Sequence, residues 1–483
     1  MAVPIPDINL IPVLPEILVS VMAMAILLGG SAREQERSPV AWLVAIVAIV
    51  VAAIIAQLVA SPGRVDAFGG MFVSDPFALY AKLLLFLATA IPLTMSCEYL
   101  REQRLDQAEY FVLTLFALVG GMIMVSAGDF LVLYLGLELM SLSIYVLAAF
   151  RRDAVRSNEA GLKYFILGSM ASGLLLYGIS LIYGLSGTTM FHSIAAQLAS
   201  GALPMGIAFH MGVVLIISGL AFKVAAAPFH MWAPDVYEGA PTSVTAFMAA
   251  MPKIAGFAAL YRVLLDAFSA AQDFWGPVLV LLAVISMAVG ALAAIAQTNL
   301  KRMLAYSSIG HVGYALLGFA TGSPAGAQAV LVYLTIYIIM NLGAFTVMMV
   351  LEGQGKGEEI DDYKGLAARR PLLAAAMALF MFSMAGIPPL AGFMGKFYVF
   401  MAVVEAHMYV AAVLGVLFSA VGAFYYLRII KLMYFDEAQQ DFAMVVTPVH
   451  VALLSVGSVT LLYLGVLPGG LVQAALDVVK LFP

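Results

Sequence analysis

Residues 219–237 read GLAFKVAAAPFHMWAPDVY. All but the last of them fall within an apolar run, 205–236, that exceeds the ~20 residues a helix needs to cross a bilayer. Yet the stretch holds a lysine, Lys223, a histidine, His230, and two prolines, Pro228 and Pro234. Proline removes a backbone donor and its ring clashes with the preceding turn, so a helix breaks here. Peptide groups freed at membrane depth are tolerated only inside protein or along a wet cavity. A cation at mid-membrane costs ~3 kcal/mol on insertion scales, and such residues face the interior of a bundle. The segment therefore predicts an all-α membrane bundle with a polar interior. Residues 383–400, SMAGIPPLAGFMGKFYVF, repeat the theme with Pro388, Pro389 and Lys396.

The rest of the chain agrees. Of 483 residues, 64% are hydrophobic and 11% charged, with a mean hydropathy of +1.03. Soluble domains are about 45–50% apolar and about 25% charged, so too few polar residues exist here to cover a soluble fold. With 23 Lys+Arg against 28 Asp+Glu, a formal charge of −5 and no basic tract, the chain is no nucleic-acid binder. Cys97 is its one cysteine, which excludes a disulfide scaffold, a thiolate zinc site or a protein-held iron–sulfur cluster. Residues 1–10 carry Asp7 and no Lys or Arg, so the first span is expected to be retained rather than cleaved.

Apolar runs bounded by charge, Gly or Pro predict about fourteen spans: 8–30, 39–60, 75–98, 108–126, 129–150, 159–186, 205–236, 241–265, 276–298, 301–321, 325–351, 371–407, 408–434 and 447–478. The runs are too long for barrel strands and lack their alternation. Connections after the odd-numbered spans carry 15 Lys or Arg, and those on the opposite face carry 2, Arg64 and Arg262. The positive-inside rule puts the cation-rich loops in the cytoplasm and both termini outside.

Five lysines remain within spans, Lys82, Lys163, Lys223, Lys253 and Lys396, together with Glu138. Lys82 and Lys163 lie near span ends, where a lysine reaches the interface along its apolar stem; Lys82 is read this way, and for Lys163 a functional role stays open. Glu138 and Lys253 are near mid-span, and Lys223 and Lys396 are deep in the interrupted spans. Burial disfavours an ammonium and a nearby carboxylate favours it, so a movable Glu–Lys relation switches a lysine between holding and releasing a proton. His230 and His311 are of the residue type that titrates near neutrality. Lys301 opens the tenth span. No metal-ligand cluster, haem pattern or dinucleotide-binding glycine motif is present.

The two breaks are five spans apart, and an odd offset inverts a helix across the membrane. Spans 4–8 and 9–13 are thus expected to be inverted five-helix repeats, as in transporters. The implied division is an N-terminal three-helix segment (1–107), a first repeat (108–270), a second repeat (271–435) and a last helix (436–483).

The motifs YLGLELMSLSIYVL (134–147), FKVAAAPFHMWAPDVYEGAP (222–241), PTSVTAFMAAMPKIAGF (241–257), NLKRMLAYSSIGHVGY (299–314) and MAGIPPLAGFMGKFYVF (384–400) occur in this order. Together they resemble the antiporter-like subunits of respiratory complex I, of multisubunit cation/proton antiporters and of membrane-bound hydrogenases. Within that group they are most similar to the N-type subunits of bacterial NADH–quinone oxidoreductase. The resemblance spans about 100–435. It implies that Glu138 pairs with Lys223 of the broken seventh helix, that Lys253 bridges, and that Lys396 is the output lysine. It places His230 on the same polar axis and gives Lys163, His311 and Lys301 weaker roles. A lysine rather than a glutamate at 396 separates it from the M-type subunits. The L-type's long lateral helix does not follow the fourteenth span.

The function implied is proton translocation in the membrane arm of complex I, in a bacterial inner membrane. Neighbouring antiporter-like subunits are the expected partners. FMN, iron–sulfur clusters and quinone are expected in other subunits and none in this chain. The alternative is a cation/proton antiporter subunit without redox activity.

Overall fold

A computed structural model describes residues 9–31, 39–352, 356–437 and 446–480. The described chain is almost entirely helical. The N-terminal part comprises α1 (Leu14–Ser31), α2 (Pro39–Leu58), α3 (Pro76–Met95) and the short α4 (Cys97–Glu102), with a small hairpin of β1 (Val65–Ala67) and β2 (Phe72–Ser74) between α2 and α3. Next come α5 (Ala108–Val125), α6 (Phe130–Ala148), α7 (Val155–Ser186), the surface helix α8 (Phe191–Ala199), the broken pair α9 (Ile207–Val224) and α10 (Trp232–Gly239), and α11 (Thr242–Tyr261). Then follow α12 (Gln272–Ile295), α13 (Leu300–Ala320), α14 (Pro324–Glu352), the short α15 (Leu366–Arg369), the broken pair α16 (Pro371–Ala385) and α17 (Ala391–Glu405), and α18 (Tyr409–Phe435). The last two are α19 (Pro448–Val466) and α20 (Gly469–Val479).

Among the described residues, 13 segments are long and apolar enough to cross a membrane. The pair α16–α17 supplies one more crossing, each half being 15 residues long. The sequence-predicted span 447–478 differs: it turns at Leu467 and Pro468 and becomes α19 and α20. Pro468 precedes α20 and has no N–H with which to continue α19.

Helix starts follow local chemistry. Asp75 caps α3 by accepting from the Ala78 N–H at 2.7 Å. Asp129 caps α6 through the Leu131 N–H at 2.6 Å, and Asn299 caps α13 through the Arg302 N–H at 3.1 Å. Each side chain satisfies a donor that the first helical turn leaves free. Packing then depends on small residues. Side chains on Gly120 and Gly290 would run into the backbones of Gly136 and Gly310, so α5 meets α6, and α12 meets α13, at nearly backbone distance. Helix α11 is buried along its whole length and forms the centre, with α13 and α14 beside it.

Hydrogen bonds between connections test the alternation of faces. Tyr99, after α3, meets Glu352 at the end of α14, Arg151 after α6 and the Thr242 N–H that opens α11. Lys301 bonds to Glu358, in the connection between α14 and α15. All lie on the face that the sequence makes cation-rich. On the other face Arg262, at the end of α11, joins Asp75 before α3 and the Val125 carbonyl at the end of α5.

Two readings of the sequence need correction. Lys82 does not reach an interface: its ammonium is 2.6 Å from Glu16 of α1, both side chains being 4% exposed. A carboxylate on the adjoining helix made an inward path better than a snorkelling one. Arg262 is no loop cation. It is fully buried, with two 2.7 Å bonds to Asp75, a 3.2 Å bond to Asp266 and a 2.9 Å bond to the Val125 carbonyl. Breaking a buried ion pair on one side costs about 3–5 kcal/mol, because the other charge is stranded. Arg262→Ala is therefore expected to lower the thermal midpoint and the yield of assembled protein. A variant that assembles and melts like the parent would contradict this.

Candidate functional site

Helix α9 ends at Lys223 and Val224, and Ala225 takes a left-handed conformation (φ +61°) that turns the chain out of the helix. The freed backbone finds partners inside the protein. The Ala227 N–H donates to Ser286 Oγ of α12 at 2.8 Å, and the Trp232 indole donates to the Phe222 carbonyl at 3.0 Å. Residues 224–227 are buried. The break is thus satisfied by protein rather than left to lipid.

The Lys223 side chain is 2% exposed and points at α6. Its ammonium donates to Ser141 Oγ at 2.8 Å and to the Tyr145 hydroxyl at 3.2 Å. Glu138 sits one turn before Ser141 on the same helix, a spacing that places both on one side of α6. Its carboxylate accepts from Ser172 of α7 in a short hydrogen bond. Among the described residues no ion pair joins Glu138 to Lys223. The two sit in one polar cluster, and the lysine is held by hydroxyls.

Lys253 lies on α11, 2% exposed. Its ammonium contacts Ser308 Oγ of α13 and faces the rings of Tyr237 and Tyr337, at 6.0 and 5.7 Å from their centroids. One turn on from Ser308 is His311. Its Nδ1 is 2.6 Å from the Tyr333 hydroxyl of α14, and its Nε2 is 3.1 Å from the Tyr426 hydroxyl of α18. A further turn on, the Tyr314 ring faces the Lys396 ammonium at 5.0 Å. Lys396 donates to the Met384 and Ala385 carbonyls at 3.0 and 3.1 Å and to Ser419 Oγ at 2.9 Å. Those carbonyls are exposed for bonding because α16 ends there, Gly386 adopting φ +86°. At this conformation a side chain is strained, and a Cβ would press on Lys396 at 3.0 Å. A small cavity is lined here by His311, Tyr314, Lys396, Ser419 and Tyr426. Helix α13 is thus a polar strip, Ser307, Ser308, His311 and Tyr314, that contacts Lys253 at one level and Lys396 at another.

Three of the sequence-predicted residues lie off this line. His230 sits half-buried in the loop between α9 and α10, and Nδ1 has no hydrogen-bond partner among the described residues. Lys163 is 2.7 Å from both Glu159 and Asp235, with its side chain 41% exposed. Asp235 also takes Arg302 at 2.6 Å, so it ties α7 to α13 through α10. Lys301 is buried but bonded to Glu358 at 2.8 Å and to the Ala240 carbonyl at 3.3 Å. Sequence reasoning missed the serine and tyrosine hydroxyls that hold each lysine. The available signal was the serine–histidine–tyrosine spacing in YSSIGHVGY. Among the described residues no group of three or more His, Cys, Asp or Glu could hold a metal ion.

Comparison with known proteins identifies the family. Residues 127–422 match the family model described as NADH:quinone oxidoreductase/Mrp antiporter, TM. The chain is 58% identical over 481 residues to NADH-quinone oxidoreductase subunit N of Magnetococcus marinus, covering 99% of each chain. The chain belongs to the NADH–quinone oxidoreductase subunit N family. It is 51% identical over 456 residues to the Rhodospirillum rubrum subunit N, covering 94% of this chain and 93% of that one. Among solved structures it resembles a chain of Thermus thermophilus respiratory complex I at 32% identity and a TM-score of 0.81, covering 96% and 99%. A chain of the Mrp complex from Dietzia shares the fold, with a TM-score of 0.84 at 22% identity over 96% of each chain.

The hydroxyls around Lys223 give a direct test. Removing a hydrogen bond to a charged group costs about 1.5–3 kcal/mol. Ser141→Ala combined with Tyr145→Phe should lower coupled turnover about tenfold or more while leaving assembly intact. Parental turnover in the double variant would mean that Lys223 does not depend on these two groups.

Proposed function

We propose that this chain carries protons across the membrane along Glu138, Lys223, Lys253 and Lys396, with His311 as a link between the last two lysines. As a subunit N family member it is a proton-translocating membrane-arm subunit of NADH–quinone oxidoreductase. Electron transfer from NADH to quinone, with its FMN and iron–sulfur clusters, belongs to partner subunits. The antiporter-like subunits of the same arm are its neighbours.

One observation carries the axis. Among the described residues, Lys223, Lys253 and Lys396 are buried and meet only neutral hydroxyls, carbonyls and aromatic rings. The other buried lysines and arginine, Lys82, Lys301 and Arg262, each have a carboxylate within 2.8 Å. A paired buried cation is locked, since losing its proton strands a carboxylate. A buried lysine held by neutral groups can give its proton up and take another. Three such lysines in a row are wasteful as scaffold, each costing ~3 kcal/mol against an apolar residue.

Chemistry along the axis is proton transfer between neutral and cationic amines through hydroxyls, His311 and intervening waters. The two five-helix units, 108–270 and 271–435, each contribute a broken helix whose freed backbone lies at a lysine. Glu138, one turn from Ser141, biases Lys223 toward its charged form, and movement of α6 or of α9 changes that bias. The work required is modest: at ~2.3 kcal/mol per charge per 100 mV, a potential near ~180 mV asks for about 4 kcal/mol per proton. His230, Lys163 and Lys301 are assigned weaker roles at the margins of this path. The charge bias of 15 to 2 among the connections supports a cytoplasmic uptake face, with both termini on the periplasmic side of a bacterial inner membrane.

In the assembled complex, Lys223→Ala, Lys253→Ala and Lys396→Ala should each cut NADH-driven proton pumping and coupled quinone reduction about tenfold or more. Normal assembly is checked on native gels. If any one of them leaves both activities at the parental level, the axis does not pass through that residue.

A further inference from the structure

The cation-rich face holds a cavity of about 320 Å³ lined by Arg151, Arg156, Glu238, Lys301, Glu352 and Glu358. It has room for several waters. Its three carboxylates are not equivalent. Glu238 is 3.1 Å from Arg302, and Glu358 is 2.8 Å from Lys301. Among the described residues no cation forms an ion pair with Glu352. It is 8% exposed, its Oε1 accepts from the neutral Tyr99 hydroxyl at 3.1 Å, and its buried Oε2 has no hydrogen-bond partner among the described residues. A buried carboxylate normally has partners that hold its charge. One oxygen left bare beside a polar cavity is suited to carrying a proton.

The surroundings lead inward from that oxygen. Tyr99, which donates to Glu352, accepts from the Thr242 N–H at 3.2 Å. Thr242 opens α11, the helix of Lys253, 11 residues further on, or about 16 Å at ~1.5 Å per residue. The hydroxyls of Thr242 and of Ser243 are buried and lack partners among the described residues. Beyond them, Thr245 Oγ1 donates to the Tyr237 carbonyl at 2.9 Å, and the Tyr237 ring faces Lys253. Two unpartnered hydroxyls at the start of the helix, and a tyrosine at the lysine, form a course that waters can complete.

We infer that Glu352 is the proton-collecting group of the uptake face, taking protons from water in this cavity and passing them along the start of α11 toward Lys253. The step forms an O–H bond on the carboxylate from a hydronium ion and breaks it on transfer inward, with no other change. The inference rests on the lysine axis proposed above. It adds a donor to that axis, and it gives the paired carboxylates Glu238 and Glu358 no part in transfer.

Glu352→Gln tests this in the assembled complex. Glutamine keeps the shape and an oxygen to accept from Tyr99, but binds no proton. In inverted membrane vesicles, NADH-driven acidification and coupled quinone reduction should fall about tenfold, since a positioned proton-transfer group contributes on the order of 10²–10⁴. Glu352→Asp, which keeps a titratable carboxyl, should restore at least about half of the activity. Parental pumping in Glu352→Gln, measured beside an inactive Lys253→Ala, would overturn the role of Glu352 and leave the axis standing. If Lys253→Ala were also fully active, the axis would not pass through Lys253 and this inference would fail with it. Should Glu352→Gln not assemble, Glu352→Asp decides: at least about half of the parental activity in its assembled complex supports proton collection, and less than that overturns it.

Discussion

The low-dielectric interior of the membrane forbids an unsatisfied polar group, and much of this molecule follows from how that demand is met. Two helices are broken and several cations are buried, so each must find its partners in protein. That requirement brings α6 and α12 against the α9–α10 break, and α13 and α18 against the α16–α17 break. It also explains why α11 is buried throughout while α2, α18 and α19 show much of their surface. The outer helices meet lipid or neighbouring subunits, and the inner ones surround a line of amines and hydroxyls.

The same demand is met in two chemically distinct ways. Arg262 with Asp75 and Asp266, Lys82 with Glu16, and Lys301 with Glu358 are charge pairs that fasten helices to one another. Lys223, Lys253 and Lys396 are solvated instead by hydroxyls and carbonyls. The first kind resists a change of protonation and the second permits it. A device that moves protons needs both: a rigid frame, and sites inside it whose charge can vary without tearing the frame apart. The frame pairs lie near the two faces, and the variable sites lie between them.

Much of this was legible in the sequence, for identifiable reasons. A lysine or a proline in an apolar run is conspicuous on its own, so both breaks and the buried Lys223, Lys253 and Lys396 could be found without knowing a single contact. The count and alternation of helices followed from run length and from the bias of Lys and Arg. Partnerships were not legible. Arg262 and Asp75 are 187 residues apart and Tyr99 and Glu352 are 253 apart, and nothing local in either pair announces the other. Lys82 read as a snorkelling side chain because Glu16 sits two helices away. The hydroxyls holding the axis were hidden for a different reason: Ser and Tyr are unremarkable in a membrane helix, and only the packing of α13 against α11, α14 and α18 shows that Ser308, His311 and Tyr314 form one strip.

That strip bears on how the two broken helices act together. Lys253 lies on α11 and Lys396 on α17, and both reach the same helix, α13, at points two turns apart. Between them His311 is held by Tyr333 of α14 and Tyr426 of α18. An imidazole with a hydroxyl at each nitrogen can accept a proton on one side and release it from the other while its ring stays fixed. Charge on Lys253 is then felt at His311 and at Lys396 without a large displacement of any helix. The Gly290–Gly310 approach holds α12 against α13 at nearly backbone distance, which keeps the strip from sliding. Coupling between the two lysines, on this reading, is electrostatic along a rigid helix, and the movable parts are the broken ends of α9 and α16, where the chain has already given up its regular hydrogen bonds.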